Sequence, residues 1–464
     1  EGKRMNDKTQ LKRASKLGVI FYSCGDLASQ FVWTFIGSYL TIFYTDIVGL
    51  APAAAAAIMM IARVWDAVND PMMGAIAERT RSKLGRFRPY ILFGSPLLAI
   101  FSVLCFTHPF EGSSTAGVIY AAVTYIITGM LYTLVNIPYG ALASVMTEDA
   151  EQRNQINASR NVGMNVGILI VNGITANIML FFSGKGAEVA NGNGYFMTAL
   201  VYAIISIPCF LAVFFTSKEH VVPEVTKEKF SLTATISGLV KNKNLMILLV
   251  IMILQMAAWM GRIGVVIYYI MYCLGSFTLI PVIMLAPSVC GIVSSLLVPK
   301  VMSKLGKRVT LQIAVTCQGL ALLAMYFTPF DNLTLIIIES GLVGFFNVSF
   351  PCSLSLLGDA IDYNEYKTGI RNDGIAYATY GLAQKLGNAI GASVGVLLLA
   401  AFGYVANAQQ TPETLHGINM VVNLMPAIIF FLTAIFAFTW RLKDSEADEV
   451  RAKLHERKSK ENIE

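Results

Sequence analysis

Charge is scarce in this chain. Of its 464 residues only 14% are Asp, Glu, Lys or Arg, against 55% hydrophobic, and the mean hydropathy is +0.60. Soluble domains carry about 25% charged residues, so this composition excludes a soluble globular fold and implies a polytopic membrane protein. Cysteine is sparse too. The seven present (Cys24, Cys105, Cys209, Cys273, Cys290, Cys317, Cys352) lie within or at the ends of apolar segments without metal-like spacing, which leaves helix packing as their role. A cleavable signal pattern is also lacking. The polar residues up to Lys16 read as a cytosolic tail, and those before Met5 as extraneous to it.

What the chain has in excess is apolar runs long enough to cross a bilayer, which takes about 20 residues each. Twelve are expected: 17–44, 50–77, 89–108, 116–146, 158–183, 194–217, 245–273, 277–300, 309–328, 333–358, 372–404 and 414–441. Several are long enough to require tilt or kinks. The connections fall into two classes. The N-terminal tail (Lys3, Arg4, Lys8, Lys12, Arg13, Lys16), the loop with Arg79, Arg81, Lys83, Arg86 and Arg88, the central loop with Lys218, Lys227, Lys229, Lys241 and Lys243, and the loop with Lys304, Lys307 and Arg308 are basic. The alternate connections are nearly free of Lys and Arg. Basic loops stay in the cytoplasm, so both termini are expected inside. This topology accounts for the net charge of +6, and no nucleic-acid partner is expected.

The chain repeats across its middle. Ser82-Lys83-Leu84-Gly85-Arg86 follows the second span and Ser303-Lys304-Leu305-Gly306-Lys307 the eighth, positions that correspond if six helices form one repeat. Acidic turns after the fourth span (Glu148, Asp149) and the tenth (Asp359, Asp362, Glu365) correspond more loosely. The expected fold is all-α: twelve transmembrane helices in two pseudo-symmetric six-helix bundles, the major facilitator architecture. The bundles are 17–217 and 245–441, joined by a cytosolic loop over 218–244 with one short amphipathic helix, and flanked by cytosolic tails 1–16 and 442–464.

Asp66 and Asp70 lie one turn apart inside the second span. A charge at the centre of a spanning helix costs about 2.5–3.5 kcal/mol on insertion scales, so two in one turn call for a compensating cation or polar cavity. Asp66, Asn69 and Asp70 stand at i, i+3 and i+4 and share a helix face. They offer hard oxygens that suit an alkali cation, and a proton can take the same place because close carboxylates raise each other's pKa. Thr133 on the fourth span can add a hydroxyl. The alternative is an internal pair with Arg63 or a neighbouring helix.

The run Arg63-Val64-Trp65-Asp66-Ala67-Val68-Asn69-Asp70-Pro71-Met72-Met73-Gly74 is followed by Arg79-Thr80-Arg81-Ser82-Lys83-Leu84-Gly85-Arg86-Phe87-Arg88-Pro89. With Phe43-Tyr44-Thr45-Asp46, Leu134-Val135-Asn136-Ile137-Pro138-Tyr139-Gly140 and Asp362-Tyr363-Asn364-Glu365-Tyr366-Lys367-Thr368-Gly369-Ile370-Arg371, it resembles the glycoside/pentoside/hexuronide:cation symporters, the family of melibiose permease. The resemblance covers nearly the whole chain, and in texture is closest to the glucuronide transporters of that family. It implies a symporter in a bacterial plasma (inner) membrane that needs no cofactor beyond a coupling Na+ or H+, acts as a monomer and performs no enzyme chemistry. It also implies that Asp66, Asn69, Asp70 and Thr133 are the ligands if the cation is sodium.

For the sugar, an ungapped count back from Tyr44-Thr45-Asp46 puts the family's helix-one aspartate on Gln30; its helix-four partner falls on Asn136 and its ring-packing tryptophan on Gly140. Both family acids then read as amides. Arg160 and Lys385 match basic cavity positions, and Arg262 adds a charge in the seventh span. Amides plus these cations favour an anionic sugar, since a guanidinium grips a carboxylate bidentately. Equally, Gln30 and Asn136 suit a neutral glycoside, and Arg262 can be a structural partner of Glu339 or Asp26. Asp26 is itself a candidate substrate acid, and Tyr377 and Tyr380 are favoured over Trp33, Tyr132, Trp259 and Tyr268 as aromatic platforms. Arg81, Arg86 and Arg308 with Asp149, Asp359 and Asp362 are expected to gate the halves. The expected function is import of a glycoside, a glucuronide or other hexuronide first, with a neutral oligosaccharide or pentoside as the alternative and a transporter-like sugar sensor as the different-class one.

Overall fold

A computed structural model describes residues 13–110, 112, 114–220, 243–369 and 373–461. The tail lysines Lys3, Lys8 and Lys12 with Arg4, the central-loop Lys227, Lys229 and Lys241 with their expected amphipathic helix, and Arg371 lie outside the described residues. Twelve helical segments follow in order: α1 (Lys16–Val48), α2 (Pro52–Arg79), α3 (Arg88–Leu104), α4 (Thr115–Val145), α5 (Ala150–Ser183), α6 (Gly192–Thr216), α7 (Lys243–Cys273), α8 (Phe277–Leu305), α9 (Lys307–Phe327), α10 (Leu333–Lys367), α11 (Asp373–Ala401) and α12 (Pro412–Thr439). A polar helix, α13 (Asp444–Glu461), ends the described chain. Ten of these are long and apolar enough to cross a membrane. The other two of the twelve have physical reasons: α3 has 17 residues, and α2 carries Arg63, Asp66, Asp70, Glu78 and Arg79. Starts are capped by Ser15, Ser114, Asp149, Asn191, Asn332 and Thr411, whose side chains accept backbone N–H bonds. All seven cysteines are free.

The chain forms two compact units: Glu1–Leu50 with Trp65–Lys227, and Ala51–Val64 with Glu228–Glu464. Within the first, α1 packs on α5 and α6, and α3 on α4 and α6; within the second, α7 packs on α11 and α12, and α9 on α10 and α12. The pairings repeat after six helices. Lipid offers apolar groups no hydrophobic drive to associate, so close backbone approach through small residues supplies the packing. On α5 a Cβ at Gly163 would stand 2.0 Å from the Ser23 carbonyl oxygen, and one at Gly167 2.6 Å from the Gln30 Cβ. On α11 a Cβ at Gly387 would meet the Ile253 carbonyl at 2.5 Å and one at Gly391 the Ala257 carbonyl at 2.3 Å. The two glycine pairs, each four apart, seat α5 on α1 and α11 on α7 in the same way.

The duplicated loop motif has an equally local cause. Gly85 and Gly306 both adopt positive φ, 111° and 83°, a region open to glycine at little cost. The turn lets a carboxylate from beyond the sixth helix of each unit reach the next helix start. Glu219 accepts from the amides of Arg86 (2.8 Å), Phe87 (2.8 Å) and Arg88 (3.3 Å) ahead of α3. Asp444 accepts from the Lys307 amide at 3.0 Å ahead of α9. A carboxylate at a helix N-terminus satisfies orphan donors and the helix dipole together. Glu219→Ala should lower stability by about 1–2 kcal/mol, the scale of a lost N-cap, and Asp444→Ala by less because it holds fewer amides. Thermal unfolding of the purified variants in detergent measures both.

Candidate functional site

The four expected cation ligands divide between α2 and α4 of the first unit, and part of the set is in direct contact. The Thr133 hydroxyl donates to Asp70 Oδ1 at 2.7 Å. One turn earlier on α4 stands Gly129, where a Cβ would lie 3.0 Å from Asp66 Oδ1. Asp66 and Asp70 therefore both face the Gly129–Thr133 edge of α4. Asn69 is 5% exposed, and its carboxamide has a buried end without a hydrogen-bond partner. Pro71 follows at once and has no N–H, so the Ala67 carbonyl loses its usual i+4 donor in the turn that carries the acids. Two carboxylates, an amide and a hydroxyl form an oxygen-rich, half-buried set, which fits a small hard cation or a proton. Gly129→Ala would press a methyl group on Asp66 and should weaken apparent cation affinity about five- to a hundredfold, the equivalent of a 1–3 kcal/mol overpacking cost. Cation titration of uptake reads this out, with no loss of expressed protein.

A second cluster lies where α1, α4 and α5 meet. Arg160 Nε on α5 donates to Asp26 Oδ2 at 2.8 Å, and its Nη2 to Oδ1 at 3.5 Å. The Tyr139 hydroxyl on α4 reaches Asp26 Oδ2 at 3.0 Å and the Tyr22 carbonyl at 2.6 Å. The Tyr22 hydroxyl in turn bonds the Tyr139 carbonyl, and the two rings stack at 4.6 Å. Arg160 lies over the Tyr139 ring, 4.9 Å from its centroid. Gly25 makes room: a Cβ there would sit 2.3 Å from that ring. A carboxylate and a guanidinium presented together, on an aromatic floor, can accept from and donate to vicinal hydroxyls.

Beside the amide at Gln30, α1 thus presents a carboxylate, Asp26. Gln30 is one turn further along the same face, against Gly167, and accepts from the Thr34 hydroxyl at 2.6 Å. Arg160 is also not a free positive charge, because Asp26 balances it. Asn136 is half-buried, one turn before Tyr139 on α4.

In the second unit Lys385 is half-buried and Tyr377 half-exposed on α11. Tyr380 is 6% exposed within the apolar core of that unit, among residues such as Leu249, Leu356 and Phe430, so it packs helices and is no open platform. Arg262 is buried on α7, with Nη2 on the Met325 sulfur at 3.5 Å. Of the two acids expected beside it, Asp26 holds Arg160, and Glu339 accepts from the Thr328 hydroxyl at 2.8 Å. Of the residues expected to gate the halves, several pair locally. Asp149 binds Arg13 at 2.7 Å, while Asp359 binds Lys307 at 2.7 Å and Arg451 of α13 at 3.1 Å, each inside its own unit. Arg451 Nε also approaches Asp362 at 4.0 Å. Arg81 donates to the Glu78 and Thr80 carbonyls, Arg86 is buried against the Phe87 ring, and Arg308 is half-buried.

Sequence reasoning missed Tyr22, Tyr139 and Gly129, and ranked Trp33 and Tyr132, whose rings stack 4.4 Å apart beside Thr133, below Tyr377 and Tyr380. Tyr139 stood inside a quoted motif, but only the fold brings it to Asp26.

Residues 21–444 match the family described as MFS/sugar transport protein. The chain belongs to this family. It is 32% identical over 448 residues to the uncharacterized symporter YnaJ of Bacillus subtilis, covering 96% of each chain. To the glucuronide carrier protein homolog of Escherichia coli it is 29% identical over 446 residues, covering 95% of each. A solved bacterial homolog of the human lysosomal transporter Spinster superposes with TM-score 0.64 at 12% identity, over 91% of this chain and 95% of that one, a likeness of fold alone. The protein is thus a sugar transporter of the major facilitator fold, embedded in a membrane and not an enzyme.

Proposed function

We propose that this transporter is a symporter that brings a glycoside inward together with Na+ or H+, as a monomer with both termini in the cytoplasm. The observation that carries the reading is the Asp66–Asn69–Asp70 face of α2 turned to Gly129 and Thr133 on α4. Two acids in one helical turn are costly in a membrane unless a cation offsets them. The sugar site centres on Asp26, Arg160 and Tyr139, with Gln30 and Asn136 on the flanking faces. Thr133 and Asn136 lie one turn apart on α4, so cation and sugar shells share a helix. Each ligand then biases the conformational equilibrium by its differential affinity alone.

Among glycosides a hexuronide fits first, and Lys385 on α11 is the basic candidate whose loss tests it. The name of the Escherichia coli relative is consistent with this. A neutral oligosaccharide or pentoside is the second reading, favoured by one specific observation: Asp26 already balances Arg160. Uptake of a glucuronide and a neutral pentoside by vesicles with wild type and Lys385→Gln separates them. A hexuronide carrier should prefer the glucuronide and lose that preference in the variant. A wild type that prefers the neutral sugar would reverse the assignment.

A further inference from the structure

Two cysteines face each other inside the N-terminal unit. Cys24 of α1 and Cys209 of α6 are both half-buried and free, and their thiols share a side-chain hydrogen bond. The register of the two antiparallel helices puts them there. A Cβ at Gly18 would lie 2.8 Å from the Thr216 carbonyl oxygen, and the Phe31 and Tyr202 rings stack at 5.2 Å. Cys24 stands six residues past Gly18 and seven before Phe31, while Cys209 stands seven before Thr216 and seven past Tyr202. The two contacts therefore bracket a third at the cysteines. The Gly18 contact is backbone to backbone, so the helices run close at this end, and a disulfide needs Cα atoms about 4.4–6.8 Å apart. Pro208, next to Cys209, removes one backbone hydrogen bond from α6 and loosens that turn. Other thiols have different neighbours: Cys105 bonds the Thr128 hydroxyl at 3.1 Å, and Cys273 the Leu415 carbonyl at 3.5 Å.

We propose that Cys24 and Cys209 form a redox modification site, which a peroxide converts to a disulfide that staples α1 to α6. One thiol, as its thiolate, attacks a peroxide oxygen. The O–O bond breaks, the sulfur is oxidised to a sulfenic acid, and the other oxygen leaves as water. The second thiol then attacks the oxidised sulfur, the S–O bond breaks, and a second water leaves. Two thiols and one hydrogen peroxide thus give one disulfide and two waters. Hydrogen peroxide is small and uncharged, so it can reach half-buried sulfurs at a helix seam. A thiol reductant reverses the change by exchange, so the pair follows the surrounding redox poise. The staple holds on α6 the part of α1 that carries Tyr22 and Asp26.

The test exposes the full chain in membrane vesicles to hydrogen peroxide, quenches with N-ethylmaleimide and digests without reductant. Mass spectrometry should find the Cys24 and Cys209 peptides joined, lighter by two hydrogens than their sum, and dithiothreitol should return them as separate peptides. The linked protein should unfold at a Tm higher by roughly 2–6 °C than the reduced one. Cys209→Ser should abolish the link and the Tm rise and leave Cys24 as a sulfenic acid that dimedone traps, whereas Cys317→Ser should leave both intact. If Cys209→Ser does not fold, Cys24→Ser replaces it, with the sulfenic acid then on Cys209. Wild-type Cys24 and Cys209 peptides that stay unlinked at peroxide doses sufficient to oxidise the chain's methionines overturn the proposal. So does a link from Cys24 to another cysteine, or linkage without a rise in Tm.

Discussion

Proteoliposomes carrying Asp70→Asn should lose gradient-driven accumulation of the glycoside, with apparent cation affinity down by at least about 100-fold. Outer-shell partners of metal ligands are already worth ten- to hundredfold, and Asp70 is placed to touch the cation itself. The substitution keeps size and leaves the Thr133 hydroxyl an acceptor oxygen, so the change falls on charge alone. Down-gradient sugar exchange should persist, because the Asp26–Arg160–Tyr139 cluster is formed from α1, α4 and α5 without Asp70. Counterflow at equal cation on both sides measures that second half. Loss of exchange together with accumulation would mean Asp70 supports the fold or the sugar site rather than coupling.

Arg160→Ala carries the second large effect. It removes the partner of Asp26, whose side chain is 11% exposed, and leaves a buried carboxylate uncompensated. Breaking a buried pair from one side costs about 3–5 kcal/mol. Thermal unfolding should therefore fall steeply in Arg160→Ala and in Asp26→Ala should leave the guanidinium similarly stranded. In the double variant Asp26→Ala/Arg160→Ala much of the stability should return, since neither charge remains. Transport should stay absent in all three, because the paired donors and acceptors for sugar hydroxyls are gone. Recovered transport in the double variant would reduce the pair to a helix-packing contact.

The helical segments were legible because long apolar runs are the strongest signal a membrane chain carries. α2 was harder, since the acids that mark it also lower its hydropathy, and it was identified through its motif. The duplicated Ser-Lys-Leu-Gly loop correctly pointed to equivalent positions, although its cause, a carboxylate from beyond the sixth helix, needed the fold. The shared face of Asp66, Asn69 and Asp70 was readable from spacing within one helix. The Asp26–Tyr139–Arg160 cluster was not, because its members come from three helices. Tyr380 failed for another reason, since three-residue spacing from Tyr377 cannot tell a core-facing side chain from an open one. The paired acids at the helix ends could not be assigned from sign alone, because Arg13, Lys307 and Arg451 were equally available within each unit.

The central claim is that a cation gradient drives the sugar. Accumulation of a radiolabelled glycoside by proteoliposomes, with an inward Na+ gradient, an inward H+ gradient and no gradient, tests it most directly. The account predicts that one of the two gradients concentrates the sugar well above the outside level, and that dissipating the gradient releases it. Equal entry that stops at the outside concentration under all three conditions would contradict it and make this protein a uniporter.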